Sequence, residues 1–174
     1  FEDNLPFSKD FKNEEAKAVS GFYVKAISMA GETAPALPLG INLPNNAWIK
    51  SEYGSKSVNL ENSASSRSGF EGILRKELYL PEVLPLIEKY GHKVNNLHTD
   101  LHEIAGHGSG KYLEGIKKEN LESFYSILEE ARADLVALYY CANPKLKEFG
   151  IYGNDDDIND AAKALYTSYL TNGA

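Results

Sequence analysis

The sequence predicts a mostly helical α+β protein, in which a small β-containing segment precedes a helical part. β-branched and aromatic residues cluster within the first 60 residues, whereas apolar residues recur at helical spacing from residue 70 onward. With 174 residues, 43% of them hydrophobic, the chain is long enough for one domain with a sizeable core. We therefore expect a β-containing segment over residues 1–60 and a helical part over residues 61–174.

The first part of the chain contains two segments with the composition of strands. Residues 19–29 are rich in β-branched and aromatic side chains and predict one strand, and residues 55–60 predict a second strand at a sheet edge. Between them, residues 31–44 hold three of the seven prolines and predict an extended loop. Asn46 is placed to cap a short helix that ends at Tyr53.

The second part of the chain reads as a series of helices. Residues 81–91 predict a short amphipathic helix closed by Gly91, and residues 97–107 predict the next helix. A long helix is expected over residues 121–142, and a last amphipathic helix over residues 155–170. The predicted apolar face of the long helix consists of Leu121, Phe124, Leu128, Leu135, Leu138 and Tyr139.

Charge and hydropathy exclude several classes of partner. The net charge of −7 argues against binding to a phosphate backbone, which favours a basic face, so no nucleic-acid partner is expected. No apolar run approaches 18 residues, so no membrane span is expected and we predict a cytoplasmic location. Cys141 is the single cysteine, which rules out a disulfide within the chain.

The sequence LHEIAGHGSGK begins at Leu101 and contains His102, Glu103 and His107. Two imidazoles beside a carboxylate are the side chains that hydrolytic zinc sites use. The neutral ring nitrogens of His102 and His107 are therefore candidate metal ligands. Glu103 is the candidate general base, which accepts a proton from the attacking water and passes it to the leaving amine.

The spacing of the two histidines predicts an unusual helical turn. His102 and His107 lie five residues apart, whereas the common zinc motif has four. In a regular helix, five residues advance roughly 500°, so the two rings would diverge by about 140°. One π-type turn brings the fifth residue back over the first, and Gly106 tolerates the altered backbone. We therefore predict a widened turn over residues 104–107.

The sequence LEEARAD, residues 128–134, supplies further carboxylates. A catalytic zinc needs a third protein ligand, and we assign this role to Glu130. Glu129 and Asp134 are placed to hold the second ring nitrogens of the two histidines. Arg132 is placed to neutralise part of this negative charge.

Other interpretations of these residues stay open. An acidic run of this kind is usually a solvated helix face, and the protein would then be a helical domain without a metal. His98 and His102 lie four residues apart on one helix face, so they form an alternative metal-binding pair. His92 and His98 are otherwise interpreted as surface or capping histidines.

HEIAGHGSGK and EEARAD resemble the two signature motifs of the dipeptidyl peptidase III family of zinc metallopeptidases. LGINLPN, residues 39–45, is similar to a family segment that lines the substrate cleft. The resemblance implies contacts from Asn42 and Asn45 to the substrate backbone, where the residues alone favour plain turn chemistry. It also implies one zinc ion per chain, with His102, His107 and Glu130 as ligands. It implies that Glu103 is the general base, and that Glu129 and Asp134 hold the histidines.

The resemblance also implies a much longer, two-lobed peptidase that releases dipeptides from the N-terminus of short peptides. At 174 residues, this sequence is expected to be a piece of such an enzyme, with the remainder of the parent peptidase as a partner. Family members use a further histidine downstream of the second motif, and no histidine follows His107 here. We therefore expect a zinc-dependent peptidase, with a zinc-binding fragment or degenerate homologue without turnover as the alternative.

Overall fold

The computed structural model describes residues 1–14, 19–28, 40–44, 47–60, 77, 79–154 and 156–172. Its strands form one three-stranded sheet with the order β1-β3-β2. β1 (Ser20–Val24) runs parallel to β3 (Lys56–Leu60), and β2 (Gly40–Leu43) runs antiparallel to it. The short helix α1 (Ala47–Tyr53) was expected from the sequence, and its predicted cap Asn46 lies outside the described residues. α1 connects β3 to β2, which is a strand where the sequence predicted part of an extended loop.

The position of β3 corrects the expectation of an edge strand over residues 55–60. β3 lies between the two other described strands, although two of its buried side chains, Ser57 and Asn59, are polar. Asn59 is buried because its amide donates a hydrogen bond to Asp100 Oδ1 at 3.1 Å, and the Tyr23 hydroxyl of β1 donates to the other carboxylate oxygen. The polar side chains of β3 thus attach the sheet to the following helix. They do not mark an edge.

One long helix among the described residues covers a stretch in which the sequence predicted two helices. α2 (Leu84–Leu101) continues through Gly91, which is buried inside it. A methyl group at Gly91 would meet only an ordinary contact, 3.5 Å from Ile87 Cγ2, so nothing in the packing requires the helix to end there. The further α-helices among the described residues are α3 (Tyr125–Tyr140), the short α4 (Lys145–Glu148) and α5 (Ile158–Asn172).

α3 begins later and turns a different face inward than the sequence predicted. A 3₁₀ segment, Lys118–Phe124, precedes α3 and is broken at Glu122, where φ is 48°. The expected apolar face is largely exposed: Leu135 is 66% exposed and Tyr139 is 50% exposed. The buried residues of α3 are Ala133, Val136, Ala137 and Tyr140. The inward face of α3 is therefore formed by these four residues and not by the predicted apolar face.

The hydrophobic core lies where α2, α3 and α5 meet. α5 packs along α2, and α3 packs against both α2 and the turn that follows it. The core side chains include Tyr90, Val94, Leu97, Leu101, Val136, Tyr140, Cys141, Leu146, Ala161 and Leu165. The predicted class, a mostly helical α+β fold, is confirmed. In the described part of the chain, no helix has the length and apolarity that crossing a membrane requires.

Candidate metal centre

The predicted widened turn is confirmed and lies directly at the end of α2. His102–Gly106 forms a π-helical turn, in which the His107 N–H donates a hydrogen bond to the His102 carbonyl at 2.9 Å. This i→i+5 bond places the fifth residue back over the first. The two imidazole rings consequently lie side by side, with centroids 4.7 Å apart and planes at 87°.

Gly106 has a more specific role than backbone tolerance. A Cβ atom built on Gly106 would lie 2.8 Å from both Cα and Cβ of Ala133 and 2.9 Å from its carbonyl oxygen. The absence of a side chain therefore lets the π turn contact the backbone of α3. This contact fixes how far the histidines are from the carboxylates of α3.

α3 places the carboxylate of Glu130 against both histidines. His102 Nε2 lies 3.2 Å from Glu130 Oε2, and His107 Nε2 lies 3.7 Å from Glu130 Oε1. One ligand atom from each of the three residues falls within 4.8 Å of the others. Two imidazoles and one carboxylate form a donor set that catalytic zinc sites use. The Glu130 side chain is 58% exposed, so the cluster opens to solvent.

Two further carboxylates of α3 hold the opposite ring nitrogens. Asp134 Oδ1 lies 2.7 Å from His102 Nδ1, and Glu129 Oε1 lies 3.0 Å from His107 Nδ1. Because an ionised carboxylate only accepts hydrogen bonds, each neutral imidazole carries its proton on Nδ1. In this tautomer the Nε2 lone pair of each ring is free of a proton and directed towards Glu130, as metal binding requires.

These contacts shift the pKa values of the groups involved. Burial alone would lower the pKa of His102, but the hydrogen bond to Asp134 and its charge outweigh burial and raise it. Burial would likewise raise the pKa of Glu129, but hydrogen bonds from His107 and Arg132 lower it to about 2. The carboxylate of Glu129 is therefore ionised at neutral pH and remains an acceptor.

Arg132 pairs with one of the carboxylates of α3, as expected from the sequence. Its Nε and Nη2 atoms donate to the two oxygens of Glu129 at 3.0 and 2.6 Å. Its Nη1 atom donates to the Ser109 carbonyl at 3.1 Å, in the glycine-rich segment after the second histidine. One guanidinium thus links α3 to the end of the metal-binding turn.

Glu103 is buried within the π turn and lies against β2. Its side chain borders a cleft of about 770 Å³ that His102 and Asp134 also line. The amide of Asn42 donates a hydrogen bond to the Glu103 carbonyl at 2.9 Å. A Cβ atom on Gly40 would lie 2.8 Å from Glu103 Oε1, so β2 approaches this carboxylate as closely as glycine allows.

Of the two asparagines expected to bind substrate, only Asn42 lies among the described residues. Asn42 is buried, and its amide contacts the backbone of Glu103. Its contact with a substrate stays a prediction. Asn45 lies outside the described residues.

Two further residues lie beside Asp134, and sequence reasoning missed one of them, Tyr169. His98 was interpreted as an alternative metal-binding partner of His102 or else as a surface or capping histidine, but its side chain is only 15% exposed and its Nε2 lies 3.7 Å from Asp134 Oδ1. Burial lowers the pKa of His98. The Tyr169 hydroxyl donates to Asp134 Oδ2 at 2.8 Å. Tyr169 carries no sequence signal, because it follows Asp134 by 35 residues and shares no motif with it.

The chain is similar to several known peptidases. The sequence profile of Peptidase family M49 matches residues 1–125. A dipeptidyl peptidase 3 from Nematostella vectensis is 29% identical over 182 residues, which covers 83% of this chain and 23% of that protein. A dipeptidyl peptidase 3 from Rattus norvegicus is 26% identical over 204 residues, which covers 95% of this chain and 26% of that protein.

A solved structure has the same fold. DPP III from Caldithrix abyssi superposes on 98% of this chain and 32% of its own, with a TM-score of 0.74 and 28% sequence identity. The chain spans about a quarter of the length of the two curated relatives.

Proposed function

Because the chain belongs to peptidase family M49, we propose that it forms the zinc centre of a peptidase of the dipeptidyl peptidase III type. The proposed reaction is hydrolysis of short peptides, with release of dipeptides from the N-terminus. One observation carries the proposal: ligand atoms of His102, His107 and Glu130 lie within 4.8 Å of one another, while both Nδ1 atoms are held by other carboxylates.

His102, His107 and Glu130 would hold one zinc ion in this proposal. When bound, zinc supplies a Lewis acid that polarises the scissile carbonyl and lowers the pKa of the attacking water. Asp134 and Glu129 orient the two imidazoles so that Nε2 of each ring offers its lone pair to the metal. The exposure of Glu130 supports access of water and substrate to this side of the cluster.

Glu103 acts as the general base and acid. It follows the first ligand directly, and its carboxylate borders the cleft in which the peptide would lie. In the forward step it accepts a proton from the attacking water, and it then donates this proton to the amine that leaves. Gly40 and Asn42 of β2 restrict its position, since one contacts its carboxylate and the other holds its backbone carbonyl.

Asn42 and Asn45 would contribute contacts to the substrate backbone. Among the described residues, Asn42 Oδ1 is buried and has no hydrogen-bond partner, so the proposed contact requires a peptide N–H to enter this buried position. Its amide already holds Glu103, so one side chain would connect the substrate to the general base.

The first experiment is metal analysis of the purified protein, together with hydrolysis of short peptides. We expect about one zinc ion per chain, lost in His102→Ala and in His107→Ala but retained in Glu103→Gln. Glu103→Gln removes the titrating group, so it should abolish hydrolysis without releasing zinc. Glu82→Gln, an exposed residue ahead of α2, is the matched control.

Two results would count against the proposal. Stoichiometric zinc in the double variant His102→Ala/His107→Ala would contradict the ligand assignment. Full hydrolytic activity in Glu103→Gln would contradict its role as general base. Zinc binding by the unaltered chain without hydrolysis would restrict the proposal to metal binding.

A further inference from the structure

The carboxylate of Asp134 uses both of its oxygens, and each oxygen faces a different helix. Oδ1 lies 2.7 Å from His102 Nδ1 at the end of α2, and Oδ2 accepts a hydrogen bond from the Tyr169 hydroxyl of α5 at 2.8 Å. We propose that Tyr169 is a positioning residue for the metal centre, which orients the ring of His102 by fixing the carboxylate plane of Asp134. This inference rests on the proposed zinc site.

The carboxylate of an aspartate side chain can rotate unless both of its oxygens are held. The torsion that rotates a carboxylate about its last bond has a broad energy minimum, so one hydrogen bond leaves the plane free to turn. The Asp134 side chain is 29% exposed, which allows water to compete for its oxygens. A second hydrogen bond, made to the other oxygen, holds the plane and keeps Oδ1 directed at His102.

The direction of the Tyr169 hydrogen bond follows from the chemistry of its partner. An ionised carboxylate only accepts, so the phenol O–H donates. Burial raises the pKa of Tyr169, and the contact with Asp134 raises it further, so the hydroxyl keeps its proton. The arrangement therefore supplies a donor to Asp134 Oδ2 whether or not a metal is bound.

Tyr169 is itself held in place by the packing of α5. Leu165 and Ser168, on the same helix, are buried against the core, and α5 packs along α2. The ring of Tyr169 also contacts the ring of His98, with centroids 5.5 Å apart. The position of the hydroxyl is thus set by the core of the protein, and through Asp134 it reaches a metal ligand.

The test is Tyr169→Phe, which removes the hydroxyl and keeps the ring. Tyr166→Phe is the matched control, because this tyrosine lies on the same helix and donates to the Leu138 carbonyl at 2.9 Å, away from the metal centre. Loss of one hydrogen bond to a group that orients a metal ligand should weaken zinc affinity about 3- to 10-fold. Tyr166→Phe should leave the affinity unchanged.

A second measurement does not depend on zinc. Nitrogen chemical shifts of the metal-free protein report which ring nitrogen of His102 carries the proton. We expect mainly the Nδ1–H tautomer in the unaltered chain and a mixture in Tyr169→Phe. Absorption of the cobalt-substituted protein should also change in Tyr169→Phe, since it responds to ligand geometry and not to overall stability.

A double variant separates positioning from a general effect on folding. In the background Asp134→Ala, Tyr169→Phe should cause no further loss of zinc affinity, because the group through which it acts is absent. An equal loss in both backgrounds would overturn the inference, as would unchanged affinity and an unchanged His102 tautomer in Tyr169→Phe. Absence of zinc binding in the unaltered chain would instead overturn the proposed function, while the tautomer measurement would still decide the role of Tyr169.

Discussion

Gly106→Ala is expected to disrupt the metal centre although residue 106 binds no metal. The added methyl group would lie 2.8 Å from Cα of Ala133, so the π turn and α3 must separate by about 0.6 Å to restore a contact of 3.4 Å. Overpacking of this kind costs about 1–3 kcal/mol in the free energy of unfolding. Zinc sites tolerate only about 0.2 Å in their bond lengths, so the same separation should reduce zinc affinity roughly 10- to 100-fold.

The assay is zinc affinity by competition with a chelating dye, together with thermal unfolding of the metal-free protein. Gly91→Ala is the control, because it makes the same change at a buried helix position where the new methyl group would lie 3.5 Å from its nearest neighbour, Ile87 Cγ2. Gly91→Ala should increase stability by roughly 0.5–1 kcal/mol and leave zinc affinity unchanged. Unaltered zinc affinity in Gly106→Ala would refute the reasoning. Full recovery in Gly106→Ala/Ala133→Gly would show that the methyl groups, and not the backbone of α3, set the distance.

Two further predictions concern the general base and the buried histidines. Gly40→Ala should retain zinc but lower peptide hydrolysis at least about 10-fold, because the new methyl group displaces the Glu103 carboxylate; zinc loss in parallel would contradict this. In the metal-free protein, the pKa of His102 should lie above 6.5 and that of His98 below 6.5, and the Asp134→Asn variant should remove the increase for His102. His102 then stabilises the fold below pH 6.5 and loses this effect as pH rises through its raised pKa, whereas His98 stabilises it above pH 6.5 and loses this effect as pH falls. Since the two effects oppose each other, NMR titration of each imidazole is the measurement, and a His102 pKa below 6.5 would disprove the assignment.

The sequence predicted the geometry of the metal centre where spacing alone decides it. His102 and His107 lie five residues apart and cannot share a face of a regular helix, so the π turn follows from the pattern. The sequence placed Glu129 and Asp134 beside the second ring nitrogens without saying which carboxylate holds which histidine, and the structure has Asp134 on His102 and Glu129 on His107. Tyr169 could not be predicted, because its contact with Asp134 depends on how α5 packs, and no local pattern records that packing.

The errors in the fold have a common physical cause. Gly91 was taken as the end of a helix, but glycine ends a helix only where the backbone adopts a positive φ, and Gly91 does not. The inward face of α3 was assigned to its large apolar residues, whereas the buried residues are Ala133, which the π turn approaches closely, and Val136, Ala137 and Tyr140, which pack in the core. In both cases tertiary packing overrides the local preference of the residue type.

The contact between β2 and Glu103 joins the sheet to the helical elements that carry the candidate ligands. The three candidate ligands lie on α3 and on the turn that ends α2, whereas Asn42, which holds the Glu103 carbonyl, precedes it by 61 residues and belongs to the sheet. Local opening of the sheet would therefore release the general base before it releases the ligands. In a urea titration, hydrolysis should disappear at a lower urea concentration than bound zinc, so that inactivation precedes loss of the metal.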